Sequence, residues 1–390
     1  MSVRYISLEP VNLKDTYSEF DTIDFDVVYA GRKLGLNNIR FAATILTPNA
    51  IAGAGDLRVD NTNTDFFIDN MVGGHSFIQQ ISTEFSNAGE KSGVAESLQE
   101  YPRYCKMYYS ASQSKDDQNS SASACELRSP NLKYSNVLLR GGQTGIPDAH
   151  EYIASQQQSL TNFSVRPRFC LNSVSSQAGM PMLSERQVGR CRISIRLARF
   201  EDVFSGSDAV ANITSYQLSN VRLLYQTYAD DGEDMPLVMR TKANIKQNVN
   251  GNAITLNARL PIQANSMTAS FFPVADMNSA QLNTLACPEP PAVDRVEFSF
   301  NDSTNAYISY ELRDRNSILQ RAVQSIGDRD MGNDNTLANI KNADQYIIGL
   351  NFGNFINLAR QKFSVLINSQ IGTEAQNYTL YSYFHGIMEI

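Results

Sequence analysis

The histidines of this chain are the first residues that could do chemistry. His75 follows two glycines and could serve as a general base. No carboxylate or nucleophile stands beside it in a recognisable sequence pattern, so the spacing favours a structural, hydrogen-bonding histidine. The chain has three histidines and no Cys-x-x-Cys pair, which argues against a zinc cluster.

Acidic and glycine-rich segments offer few further sites. Asp328, Asp330 and Asp334 could bind calcium, but the EF-hand pattern requires a glycine after the third ligand and a glutamate six residues later. Neither is present, so a solvated loop is favoured. The segment at Gly141 lacks the lysine and the following helix of a phosphate-binding loop. We therefore predict no catalytic, cofactor-binding or metal site and no enzymatic activity.

The cysteines indicate synthesis in a reducing compartment. Their number is odd and their spacings are unrelated, which is typical of reduced and mostly buried thiols rather than of a disulfide framework. The N-terminus lacks the basic region and apolar core of a secretory signal. The five positions are Cys105, Cys125, Cys170, Cys191 and Cys287.

Charge and hydropathy argue against specific nucleic-acid binding and against a membrane-spanning helix. The net charge is -7 and no long Lys/Arg run occurs, so specific nucleic-acid binding is not expected. Arg190, Arg192, Arg196 and Arg199 make one strand locally basic, and a solvated sheet face or subunit contact is favoured there over an anion-binding groove. No run of about 18 apolar residues is present, so the sequence predicts no membrane-spanning helix.

Strand signals dominate the chain. From 190 to 197 the apolar residues occupy every second position, which predicts a strand with one buried face. A second strand from 216 to 228 changes phase at Ser219 and Asn220, which indicates a bulge. The acidic segment 229–236 follows, and it separates two halves with similar strand patterns.

Each half contains one convincing helix. In the first, Tyr101, Tyr104, Cys105 and Tyr108 recur at helical spacing around Pro102. In the second, the helix follows a capping Asp314 or Asn316. Its apolar stripe comprises Ile318, Leu319, Ala322, Val323 and Ile326. Both halves run strands, helix, polar loop and closing strands, which predicts an all-β chain of two sandwiches with Greek-key connections.

Three stretches resemble a known family. They are GGHSFIQQISTEF at 73–85, ESLQEYPRYCKMYYS at 96–110, and RISIRLARFEDVFSG at 192–206 continued by NVRLLYQTY at 220–228. These stretches resemble the double jelly-roll major capsid proteins of tailless icosahedral DNA viruses, the lineage of adenovirus hexon and the polinton-like capsids. The second half matches the family only in size and strand pattern.

The resemblance implies a fold and a domain order. We expect two tandem eight-stranded antiparallel jelly-roll sandwiches, each with a short helix, packed side by side. The expected division is an N-terminal arm at 1–20, the first jelly roll at 21–228, a linker at 229–240 and the second jelly roll at 241–390.

The resemblance also implies a role. Family members form homotrimers with six jelly rolls in a pseudo-hexagon, and such capsomers tile an icosahedral shell, commonly over an internal membrane. The implied partners are copies of this chain, neighbouring capsomers and minor capsid or penton proteins, and the implied location is the virion after synthesis in the host cytoplasm. Two alternatives remain open, a viral spike or carbohydrate-binding tandem sandwich and a β-sandwich hydrolase.

Overall fold

The computed structural model shows an all-β chain with few helices, as the strand patterns predict. The structure describes residues 2–48, 66–69, 71–86, 93–112, 125–128, 158–176, 179–206, 215–279, 282–290, 293–301, 307–326, 346–360, 362–371 and 377–390.

Eight main strands of the described residues form the first sandwich. In order, they are β1 Val3–Leu8, β3 Thr22–Val27, β5 Arg40–Pro48, β7 Ile78–Ser86, β8 Gly93–Gln99, β9 Gln158–Val165, β12 Arg190–Leu197 and β14 Gln217–Ala229. One sheet pairs them as β1-β14-β5-β9 and the other as β3-β12-β7-β8. The first strand thus lies beside the last and the second beside the seventh, which is the pairing order of a jelly roll.

Shorter strands complete the first half. They are β2 Tyr17–Ser18, β4 Arg32–Gly35, β6 Phe66–Ile68, β10 Val174–Ser176, β11 Met182–Leu183 and β13 Phe204–Gly206. The strand β10 pairs with the second half rather than with the first.

The second sandwich repeats this pairing order. Its strands are β15 Leu237–Val249, β16 Ala253–Ala258, β17 Gln263–Pro273, β18 Arg295–Asn301, β19 Tyr307–Leu312, β20 Ile348–Asn357, β21 Lys362–Asn368 and β22 Tyr378–Glu389. The sheets run β15-β22-β17-β20 and β16-β21-β18-β19. Position by position, β15 corresponds to β1 and β22 corresponds to β14, so the two halves have the same topology.

The alternation in 190–197 places its apolar side chains in the core. Cys191, Ile193 and Ile195 are fully buried, and β12 pairs with β3 on one side and β7 on the other. The predicted bulge is confirmed, since the register of β14 against β5 shifts between Ser219 and Arg222. The strands before and after 302–306, β18 and β19, pair antiparallel.

Paired strands lie inside two segments that the sequence assigns to an arm and a linker. Within 1–20, β1 pairs with β14 from Val3 opposite Tyr228 to Leu8 opposite Leu223. Within 229–240, β15 begins at Leu237. The division into arm, sandwich, linker and sandwich stays a prediction.

Both predicted helices are present. The helix α1 spans Tyr101–Ser112; two one-turn helices follow, α2 Glu185–Val188 and α3 Phe200–Val203, and then α4 spans Arg315–Ser325. The Asp314 side chain accepts a hydrogen bond from the Ser317 backbone N–H, so Asp314 is the N-cap of α4. In each half the long helix lies between the fifth and sixth main strands. Among the described helices, none is both long and apolar enough to cross a membrane.

The glycine pair before His75 lies, together with His75, in a short helix ahead of β7. Residues Gly73–Phe77 make a 3-10 turn, and β7 begins at Ile78. The Asp69 carboxylate accepts hydrogen bonds from the backbone N–H groups of Met71 and Val72, at 2.9 and 3.0 Å, and so stabilises the approach to this turn.

Candidate functional site at the junction of the two sandwiches

The outer face of the second sandwich carries aromatic and polar side chains that are nevertheless buried. Strand alternation points Phe384 of β22 into the core, where its ring lies 5.7 Å from that of Phe363. The alternate residues Tyr381, Tyr383 and His385 therefore face outward, yet they are only 2%, 0% and 9% exposed. Another element must cover this face.

Helix α1 of the first sandwich is that cover. The ring of Tyr104 lies 5.5 Å from Tyr383 and 5.7 Å from His385. The guanidinium of Arg103 lies over the rings of Tyr381 and Phe272, at 4.3 and 4.8 Å from their centroids. A buried cation over two ring faces is attracted by both ring quadrupoles. The helix therefore joins the two sandwiches through side chains rather than through the linker alone.

Hydrogen bonds fix Arg103 in this position. Its guanidinium donates to the carbonyl oxygen of Ala286 at 2.8 Å and to that of Thr284. Both carbonyls belong to the second half, whereas Arg103 belongs to the first. A buried arginine is tolerated only when its donors are satisfied, so this site specifies one placement of the helix.

A buried ion pair of the first half is hydrogen-bonded to the second half at the same junction. Lys106 of α1 donates to Asp69 at 2.6 Å, and Asn283 of the second half donates to the same carboxylate oxygen, also at 2.6 Å. Burial alone would raise the pKa of Asp69, but the charge and hydrogen bond of Lys106 outweigh burial and lower it. The carboxylate is therefore ionised and bonded to both halves at once.

Glu96 at the edge of the first sandwich makes a second polar link. Its carboxylate accepts hydrogen bonds from the backbone N–H groups of Lys242 at 2.8 Å and Cys170 at 2.6 Å. The Lys242 ammonium lies 3.6 Å from the carboxylate. Burial raises the pKa of Glu96. Strand β8 of the first sandwich is thus held against β15 of the second.

The opposite face of α1 is anchored in the first sandwich by His75. Its ring nitrogens lie 2.9 Å from the Tyr101 hydroxyl and 3.0 Å from the Tyr109 hydroxyl. The ring is fully buried, and burial lowers the pKa of His75. A carboxylate that the sequence pattern did not reveal, that of Glu126, lies 3.6 Å away. The hydrogen bonds support the structural interpretation of this histidine.

Glu126 is held ionised beside the imidazole. Burial alone would raise the pKa of Glu126, but its contacts with His75 and Arg128 lower it to about 2. Arg128 also lies over the Tyr109 ring, with its guanidinium carbon 3.7 Å from the centroid. The cluster consists of charges paired within the fold.

A cavity of about 270 Å³ lies at the rim of the junction, with walls from both halves. Its charged side chains pair with each other. Lys246 lies 2.8 Å from Glu100, and Arg199 lies 2.8 Å from Asp202. The Glu100 carbonyl also accepts a hydrogen bond from the Tyr383 hydroxyl at 2.7 Å. The Lys246–Glu100 pair and the Tyr383 hydrogen bond link the two sandwiches, and these groups do not form a nucleophile–base arrangement.

The other residues singled out from the sequence lie apart from the junction. Arg190 and Arg192 form ion pairs with Asp26 on the neighbouring strand β3. The acidic segment after β14 binds Arg186, which lies 2.8 Å from Asp230. The aspartates at 328, 330 and 334 and the glycines near 141 lie outside the described residues. Within the part of the chain that the structure describes, no three His, Cys, Asp or Glu side chains cluster closely enough to hold a metal ion.

All five cysteines are free thiols, and Cys125 is the exposed one. Burial raises the pKa of Cys105 and of Cys191 to about 12. Such thiols are protonated at neutral pH and behave as small apolar side chains. The prediction of reduced, mostly buried cysteines is confirmed.

Solved capsid proteins share this architecture. The major capsid protein of Faustovirus matches with a TM-score of 0.52 at 11% identity, covering 100% of this chain and 90% of its own. The structure of the Sputnik virophage matches with a TM-score of 0.57 at 9% identity, covering 100% and 86%. The mavirus major capsid protein matches with a TM-score of 0.53 at 9% identity, covering 99% and 90%. No protein-family model and no curated protein matches the sequence.

These matches run over nearly the whole chain and include both sandwiches. The chain has the double jelly-roll fold. In this double jelly roll, α1 is the element that sets how one roll lies against the other.

Sequence patterns did not reveal that charged residues lie buried at the junction. Tyr101, Tyr104 and Tyr108 mark one apolar stripe on α1, but Arg103 and Lys106 are only 4% exposed as well. The one signal in the sequence is that aromatic residues occur on more than one face of this helix. A helix that is apolar on several faces is buried on several sides.

Proposed function

We propose that this double jelly roll is a major capsid protein that trimerises into a pseudo-hexagonal capsomer and builds an icosahedral virion shell. The observation that carries the proposal is the repetition of one jelly-roll topology in both halves, joined rigidly through α1. Two similar rolls in one chain, repeated three times about an axis, approximate sixfold symmetry. One gene product can then fill hexagonal positions in a shell.

The junction supports an architectural rather than a catalytic role. Its buried charged groups, among them Arg103, Asp69 and Glu96, are bonded across the two rolls. Buried polar contacts of this kind specify one arrangement of the elements that they join. A tile requires that fixed arrangement, because small errors in the angle between rolls add up around a closed shell.

The proposed partners follow from the role. They are further copies of this chain, neighbouring capsomers and minor or penton proteins that fill other positions, with a membrane beneath the shell as a further candidate. The proposed location is the virion, after synthesis in the host cytoplasm.

The test is the mass of the purified protein in solution, followed by electron microscopy. The proposal predicts a stable trimer of the 43.3 kDa chain and a hexagonal outline of single particles. A monomer at all accessible concentrations would contradict it. A monomer that binds a defined glycan would favour the alternative of a carbohydrate-binding module.

A further inference from the structure

One sheet of each half corresponds to the other in topology, but only the sheet of the second half is covered by a helix and a strand of the other half. In the first half, β8 and α1 cover the outer face of the sheet β15-β22-β17. In the second half, the corresponding β19 and α4 cover no equivalent sheet among the residues that the structure describes. The sheet β1-β14-β5 of the first half corresponds in turn to the covered sheet of the second.

The corresponding strands of the two halves differ in the exposed fraction of their outward-facing side chains. On the covered sheet, outward-facing Lys242 of β15 and Tyr383 of β22 are 6% and 0% exposed. On the corresponding sheet of the first half, Tyr5 of β1 is 80% exposed, and its register partner Gln226 of β14 is half-buried. Ile6, the neighbour of Tyr5, packs against the core, so Tyr5 points outward.

The corresponding helices differ in the same way. Arg103 and Tyr104 of α1 are 4% and 3% exposed. On α4, Ile318 and Leu319 are buried against the second sandwich, whereas Gln320, Arg321 and Gln324 are exposed on the other side. The spacing of these three residues places them on one helical face. That face corresponds to the side of α1 that lies on the neighbouring roll.

We infer that α4 and β19 of one copy lie on the outer face of β1-β14-β5 of a second copy, in the manner of α1 and β8 on β15-β22-β17. This interface rests on the proposed function and names the surfaces that would form the trimer. The chain carries both halves of the junction on different elements, so the contact runs head to tail, and in the proposed trimer it closes into a ring of six rolls.

The side chains fit a contact of polar and aromatic groups, like the one within the chain. The covered sheet offers the rings of Tyr381 and Phe272 to Arg103. The uncovered sheet offers Tyr5 and Gln226 to Arg321 and the glutamines of α4. Tyrosine and arginine are enriched where protein interfaces are strongest.

Two surface variants test the interface by mass in solution. Tyr5→Glu on β1 and Arg321→Glu on α4 are each expected to raise the dissociation constant of the trimer at least about tenfold, because a charge or a charge reversal enters the contact. Both positions are exposed in the single chain, so circular dichroism and the melting temperature of the monomer should not change. Val28→Glu replaces another exposed apolar residue, 54% exposed in the turn after β3, and should leave the trimer intact.

Cross-linking provides a second, positive measurement. In a Cys125→Ser background, which removes the exposed thiol, the variants Tyr5→Cys and Gln320→Cys are purified separately, mixed after dissociation and treated with a short bis-maleimide. A covalent dimer in the mixture, at a yield well above that of either variant alone, supports the interface. The interface would be overturned if the wild type is a trimer, both charge variants remain trimers, and the cysteine variants give no such dimer. The capsid role would then remain intact. A wild-type monomer would overturn both.

Discussion

The guanidinium of Arg103, in the first sandwich, lies 4.3 Å from the ring centroid of Tyr381, on the last strand of the second. The two residues are separated by most of the chain, and the contact couples its two halves. Arg103 and the nearby buried carboxylate of Asp69 both have hydrogen-bond partners in the other half. Stability and geometry of the double jelly roll therefore depend on the same few side chains.

Arg103→Ala should destabilise the fold strongly. The substitution removes two cation–ring contacts and leaves the carbonyls of Thr284 and Ala286 without their donor, so we expect a loss of about 3–5 kcal/mol in the free energy of unfolding. Urea unfolding followed by circular dichroism measures it. Arg313→Ala is the matched control, because that arginine side chain is 75% exposed, and it should change the free energy by less than about 0.5 kcal/mol. Equal effects of both variants would contradict this role of Arg103.

Glu126 should make the fold sensitive to acid. Its pKa is about 2 in the folded chain against an ordinary value of 4.5, so its ionised form stabilises the fold above about pH 4.5. That contribution is lost as the pH falls towards 2. Glu126→Gln should cost about 1–3 kcal/mol at pH 7 and show a smaller further loss between pH 4.5 and 2.

The measurement is urea unfolding of the Glu126 variant and the wild type at a series of pH values. Thr255→Ala, at an exposed position of β16, removes no ionisable group; it is the control and should keep the acid dependence of the wild type. A Glu126→Gln variant with an unchanged acid slope would show that another group controls this range.

Gly349 should be required for the close packing of α4 on β20. A Cβ atom there would lie 2.2 Å from the Ser325 hydroxyl oxygen and 2.7 Å from the Met267 carbonyl oxygen, so the helix would have to move. Gly349→Ala is expected to lower the free energy of unfolding by about 1–3 kcal/mol. Gly251→Ala is the control, since its nearest neighbour would be 3.8 Å away. A melting temperature of Gly349→Ala equal to that of Gly251→Ala would refute the close packing.

Local patterns were sufficient for most elements of the fold. The alternation in 190–197, the change of phase at Ser219, and the helix that begins after Asp314 all appear in the structure as predicted. These features depend on residues that are near one another in the sequence, because strand and helix periods are local properties. His75 shows the limit: its structural role could be argued from the sequence, but the short helix that holds it and the carboxylate of Glu126 could not.

The sequence by itself determined an all-β chain of two similar halves, each with one helix. Only the tertiary structure decided that α1 is buried on both sides and that Arg103 and Lys106 lie inside the protein. The reason is that a charged side chain can be buried only where partners satisfy it, and the partners of Arg103 lie more than 180 positions further along the chain. The pairing of β1 with β14 is likewise a contact between distant segments, which no local period can specify.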